Sequence, residues 1–194
     1  MEQVIEKNSD NNGKIPSAKI LLWLGIGSIV IIFGALTSAY IVREAEGNWV
    51  KFALPQMFWV STSVILLSSA TMNWAIASAK ANKSATIKMA LGITFILGVC
   101  FVLAQFLGWK TLVHEGIFFA GSKSNPSGSF LYVITGLHVA HLLAGILYLF
   151  AMFIKSFKNT FNSSNLLSLE LCATYWHFLG GLWVYLFLFL LFIR

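Results

Sequence analysis

Charge is what this sequence has least of. Only 10% of its 194 residues are Asp, Glu, Lys or Arg, and 7 of them are acidic. Hydrophobic residues make up 58%, and the mean hydropathy of +0.79 lies beyond the range of soluble domains. There are 2 cysteines, Cys100 and Cys172, with no CxxC or metal-ligand spacing, so they read as small apolar packing residues. The chain lacks a Walker loop, a nucleophile elbow, a dinucleotide fingerprint and an HExxH motif. It also lacks an internal repeat, which removes the inverted-repeat signature of many transporters.

What is present is five uncharged apolar runs, at residues 20–42, 56–79, 89–108, 130–154 and 171–193. Each is long enough to cross a bilayer as a helix. The expected fold is therefore an all-α membrane protein with five transmembrane helices in one bundle over residues 20–194. Residues 1–19, polar, mixed in charge and rich in Asn, read as a flexible cytoplasmic tail ahead of an uncleaved first span.

Lysine and arginine set the orientation. Lys7, Lys14, Lys19, Lys80, Lys83, Lys88, Lys155 and Lys158 fall on the side of the N-terminus, against Arg43, Lys51, Lys110, Lys123 and Arg194 on the other. The richer side is the cytoplasmic one, so the N-terminus is expected inside and the C-terminus outside. These cations are scattered over loops, which speaks against nucleic acid as a partner. Trp23, Trp59, Trp74, Trp109 and Trp176 fall near span ends, where an amphipathic ring favours the interface, whereas Trp183 lies deep in the last span. The loop after Lys110 reads as solvated, with Ile117 to Phe119 dipping into the interface.

None of the five runs holds an acidic or basic residue in its middle, which leaves little with which to bind or relay an ion. The ionisable groups inside them are His138, His141 and His177, with Glu170 at the edge of the last. Counted at about 1.5 Å per residue, His141 is about 20 Å deep, His138 about 24 Å and His177 about 10 Å, too staggered for one shared centre or a bis-histidine haem. The histidines are expected to tie helices together by hydrogen bonds, or to contact lipid. Gly136, Ala140 and Ala144 form a small-residue stripe at a spacing of four that invites close helix approach. Gly27, Ser28, Gly34 and Ser38 in the first span, and Ser61, Ser68 and Ser69 in the second, read the same way.

Two stretches carry a family resemblance. Residues 135–145, TGLHVAHLLAG, resemble the paired-histidine helix of subunit III of the haem-copper oxidases, and residues 170–183, ELCATYWHFLGGLW, resemble its last helix. Weaker matches follow in order: FGALTSAY, STSVILLSSATMNWA and ILGVCFVLAQFLGW. The resemblance implies a subunit without haem or copper of its own, packed on catalytic subunit I beside subunit II in a bacterial inner membrane. It implies support of proton uptake, protection of the catalytic site and retention of phospholipid during reduction of oxygen to water; a larger respiratory supercomplex is left open by the sequence. On this resemblance His138, His141, Glu170, Trp176, His177 and Trp183 match family positions. Ser28 stands where the family carries a glutamate, and Gly180 where many members carry an aspartate. With that glutamate missing, His141 is expected to be neutral and to bond a hydroxyl or carbonyl, with Ser28 a candidate. The alternatives are the subunit III-like protein of nitric oxide reductases, a quinol-oxidising complex, a b-type cytochrome anchor and a small transporter.

Overall fold

The computed structural model describes residues 17–47, 49–122, 124–158 and 166–193. Lys7, Lys14, Lys123, Arg194 and most of the expected tail lie outside the described residues. Five helices follow one another: α1 Ser17–Ala45, α2 Gln56–Lys80, α3 Ser84–His114, α4 Pro126–Phe157 and α5 Leu167–Phe192. All five are long and apolar enough to span a membrane, and no strand occurs among the described residues. The helices outrun the apolar runs. α1 starts at Ser17 rather than 20, and α3 continues to His114, because polar residues at a membrane surface can still satisfy a helical backbone.

Neighbour relations decide the architecture. α2 packs on α3, α3 on α4, α4 on α5 and α5 back on α2, which closes a four-helix ring. α1 touches only α4 and α5, so it lies outside the ring in the groove between them. It is anchored there by a few contacts: Phe33 edge-on to His141 at 5.8 Å, and Tyr185 Oη donating to Thr37 Oγ1 at 3.2 Å. Near its C-terminal end Tyr40 stacks edge-on against Trp49 at 4.6 Å and Phe189 at 5.2 Å.

Close helix approach inside the ring rests on glycine. A Cβ on Gly98 of α3 would meet Trp176 Cη2 at 2.7 Å, and one on Gly108 would meet Phe58 Cε1 at 2.6 Å. Both rings are fully buried, so these two positions admit nothing larger than hydrogen without displacing an aromatic anchor.

The loop from α3 to α4 is built rather than loose. Asn125 caps α4 by accepting from Gly128 N at 2.8 Å, with Pro126 in the first turn where its missing N–H costs nothing. Ser127 Oγ donates to Val50 O at 2.9 Å and so ties this loop to the one between α1 and α2. Ile117, expected at the membrane interface, is instead buried under Gly128, and Phe119 remains exposed.

Candidate functional site

The interior of the ring is lined with uncharged polar side chains, each bonded to a neighbouring helix. Trp176 Nε1 donates to Ser68 Oγ at 3.1 Å, and Trp183 Nε1 donates to Thr62 Oγ1 at 2.9 Å, joining α5 to α2 at two levels. Gln105 Nε2 donates to Ser61 Oγ at 2.8 Å, and the hydroxyls of Thr71 and Thr94 lie 2.7 Å apart, joining α2 to α3. Trp109 Nε1 donates to Thr135 Oγ1 at 3.0 Å, joining α3 to α4. Between helices in a membrane such bonds contribute about 0.6 kcal/mol each on average. Their larger role is to fix register, since an apolar surface slides past another without preference.

The paired histidines of α4 divide the work. His138 is fully buried, and its Nε2–H donates to the carbonyl of Leu179 on α5 at 3.1 Å. Its ring lies 5.1 Å from that of Trp183 and 5.8 Å from that of Phe101. His141 is half-buried, donates from Nδ1 to Leu137 O of its own helix at 2.8 Å, and turns its ring towards α1. Tyr175 Oη of α5 donates to the carbonyl of His141 at 3.3 Å, so this backbone is tied as well. Nδ1 of His138 and Oε1 of Gln105 are buried acceptors without a partner among the described residues.

His177 lies elsewhere. It faces the outside of the α2–α5 pair, where its Nε2–H donates to Asn73 Oδ1 at 2.9 Å. The three histidines thus point to three different neighbours, and no group of three or more His, Cys, Asp or Glu gathers among the described residues. A haem held between His138 or His141 and His177 does not fit this geometry, because the rings do not face one another. Glu170 is exposed in the first turn of α5, where its charge suits the helix dipole, and its carbonyl accepts from Thr174 Oγ1 at 2.9 Å.

Three expectations need correction. Trp176 is not an interface residue: nine residues into α5, it is 1% exposed and forms the ring's central packing. The stripe Gly136, Ala140 and Ala144 does not seat a helix of this chain. A Cβ on Gly136 would meet nothing within 4 Å, and Ala140 and Ala144 are exposed. Close approach occurs one face away, at Gly145, where a Cβ would lie 3.0 Å from Leu179 Cδ1. Ser28 does not pair with His141. It is exposed on α1 and donates to Leu24 O at 3.0 Å, the bond a lone hydroxyl makes within its own helix. Ser28→Ala should accordingly change the melting midpoint of the purified complex by no more than the equivalent of about 0.5 kcal/mol.

Gln105 and Asn73 are not among the residues expected from the sequence, because they are neither ionisable nor small. The signal was present: each is a carboxamide within an uncharged span, a residue type that seeks a partner in a membrane.

The sequence that forms these five helices is similar to known sequences. The family described as cytochrome c oxidase subunit III matches residues 50–193. The chain belongs to that family. Cytochrome c oxidase subunit 3 of Bacillus sp. (strain PS3) is 28% identical over 187 residues, covering 94% of this chain and 87% of the relative. The protein of the same name from Bacillus subtilis (strain 168) is 26% identical over 170 residues, covering 85% of this chain and 81% of its own. That of Loxodonta africana is 33% identical over 132 residues, covering 66% of this chain and 47% of its own. The chain is thus a subunit III of a terminal oxidase, a multi-pass membrane protein that belongs to an oxidase complex. Within it, His138, Trp176 and Trp183 of the two recognised stretches are all buried in the ring interior, where His138 and Trp183 touch, whereas His177 and Glu170 lie outside it.

Proposed function

We propose that this subunit III is a non-redox accessory subunit of a respiratory haem-copper oxidase in a bacterial inner membrane. Its N-terminus is cytoplasmic, and it packs on catalytic subunit I with subunit II in the same complex. There it stabilises the catalytic site through turnover, supports proton uptake and retains phospholipid, while haem and copper belong to its partners. The observation that supports this reading best is how the histidines are used: His138 and His177 each bond another helix, and His141 bonds a carbonyl of its own. Ser28 and Gly180, where the family has carboxylates, leave this chain without an acid at either position, so a carboxylate relay through it forms no part of the proposal.

The test is affinity purification of the tagged chain in mild detergent, followed by a reduced-minus-oxidised visible spectrum and an oxygen-consumption assay. The expected result is a haem-bearing large polypeptide that reduces oxygen. A b-type spectrum from the chain alone would establish a cytochrome anchor instead, and a copurifying complex that reduces nitric oxide but not oxygen would place it with the reductases.

A further inference from the structure

The outer faces of the helices are mostly covered by large apolar side chains, such as Leu21, Ile31, Leu67, Leu103 and Leu147, as lipid contact requires. The outer groove between α2 and α5 is different. Asn73, exposed, pairs with His177 across it, and the positions a turn either side on α2 are Ala70 and Ala77, both exposed and small. Ten residues separate Leu167 from His177, which places the pair about 15 Å along α5, a helix of 26 residues. With a hydrocarbon core of about 30 Å, that is roughly 10 Å below the nearer boundary.

One hydrogen bond does not satisfy these two groups. The Asn73 amide nitrogen and His177 Nδ1 make no bond among the described residues, so a donor and an acceptor face outward together at membrane depth. Acyl chains can satisfy neither, and a lipid headgroup would have to be drawn far from its own level. Only another polypeptide carries complementary groups at that depth, and the flanking alanines let its backbone come close.

We propose that the α2–α5 groove is a docking site for a transmembrane helix of another polypeptide of the complex. That helix presents a side chain able to accept from the Asn73 amide and donate to His177 Nδ1, such as a carboxamide or a hydroxyl. The inference rests on the chain being a complex subunit, and it adds the face and the chemistry by which one partner is held.

The experiment is photo-crosslinking in native membranes with benzoylphenylalanine at Ala77, one turn from Asn73 on the same face, followed by purification through the tagged chain. An adduct with a different polypeptide is expected, and in the Asn73→Leu, His177→Phe double variant its yield should fall roughly tenfold. A melting midpoint for the double variant equal to that of the parent chain in detergent would show that the loss is not unfolding. Labelling of lipid alone, or of a second copy of this chain, would overturn the proposal, as would an unchanged adduct in the double variant. The haem spectrum of the same preparation separates the two readings. Oxidase haem with only lipid labelled defeats the docking site, whereas a polypeptide adduct without oxidase haem keeps the docking site and defeats the oxidase reading.

Discussion

Trp183→Ala is expected to lower the stability of the chain by about 3–5 kcal/mol, the cost of emptying a fully packed indole site. Trp183 is 0% exposed, meets Phe58 edge-on at 5.8 Å and Phe101 at 5.1 Å, and lies beside His138 at 5.1 Å. It is therefore a ring that α2, α3 and α4 all share, and its loss opens a void that none of the three can close alone. Trp183→Phe keeps an aromatic ring at the site but removes the bond to Thr62 and part of the indole's volume, so it should cost less, about 1–2 kcal/mol. Melting midpoints of the detergent-purified complex, read alongside the amount of subunit III retained, check both numbers. Equal losses for the two variants would mean that the hydrogen bond, not the packing, holds the ring together.

Gly180→Asp places a carboxylate in the interior of the bundle and is expected to destabilise this chain by about 2.5–3.5 kcal/mol. Gly180 is buried near the middle of α5, against α2, where a Cβ would sit 3.3 Å from Ser69 Oγ and 3.6 Å from Ile65 Cγ1. A charge placed there has the Ser69 hydroxyl to accept from, between spans whose middles carry no Lys or Arg. Gly180→Ala isolates the steric part. It should fall within about 1 kcal/mol of the parent, because better helix propensity offsets the tight contact. Thermal denaturation of both variants in the purified complex is the measurement. An aspartate variant as stable as the parent would show that a partner or water reaches this position and neutralises the charge.

Both predictions concern contacts that the sequence did not disclose, and the reason is specific to membranes. In a soluble helix the buried face is read from the alternation of polar and apolar residues. Here α4 presents Leu142 and Leu149 to the core and Leu143 and Leu147 to lipid, so the two faces are equally apolar and the pattern carries no direction. The small-residue stripe of Gly136, Ala140 and Ala144 was legible as a stripe, but not as one that faces away from the bundle. Likewise Trp176 lay near the edge of an apolar run. Only because α5 begins at Leu167, four residues before that run, does the ring fall beside Ser68 in the interior.

Polar residues were the better guides. Ser61 and Ser68, expected as small packing residues, also serve as acceptors between helices. A hydroxyl in hydrocarbon must be satisfied, so its presence announces a contact even when its partner is unknown. His138 and His141 announced contacts in the same way. That one reaches α5 and the other its own helix depends on a rotation of three residues along α4, which spacing alone does not convert into a partner.

By itself the sequence determined the five spans, the all-helical class and the family, because bilayer thickness fixes helix length and the two histidine-bearing stretches are specific. The tertiary structure alone decided that α2 to α5 close a ring with α1 outside it, and that the indoles of Trp176 and Trp183 turn into that ring to bond α2 at two levels. It also decided that Asn73 and His177 face outward. The division has one physical cause: lipid and protein interior are both apolar, so hydropathy reports entry into the membrane, while packing chooses which side of each helix meets another.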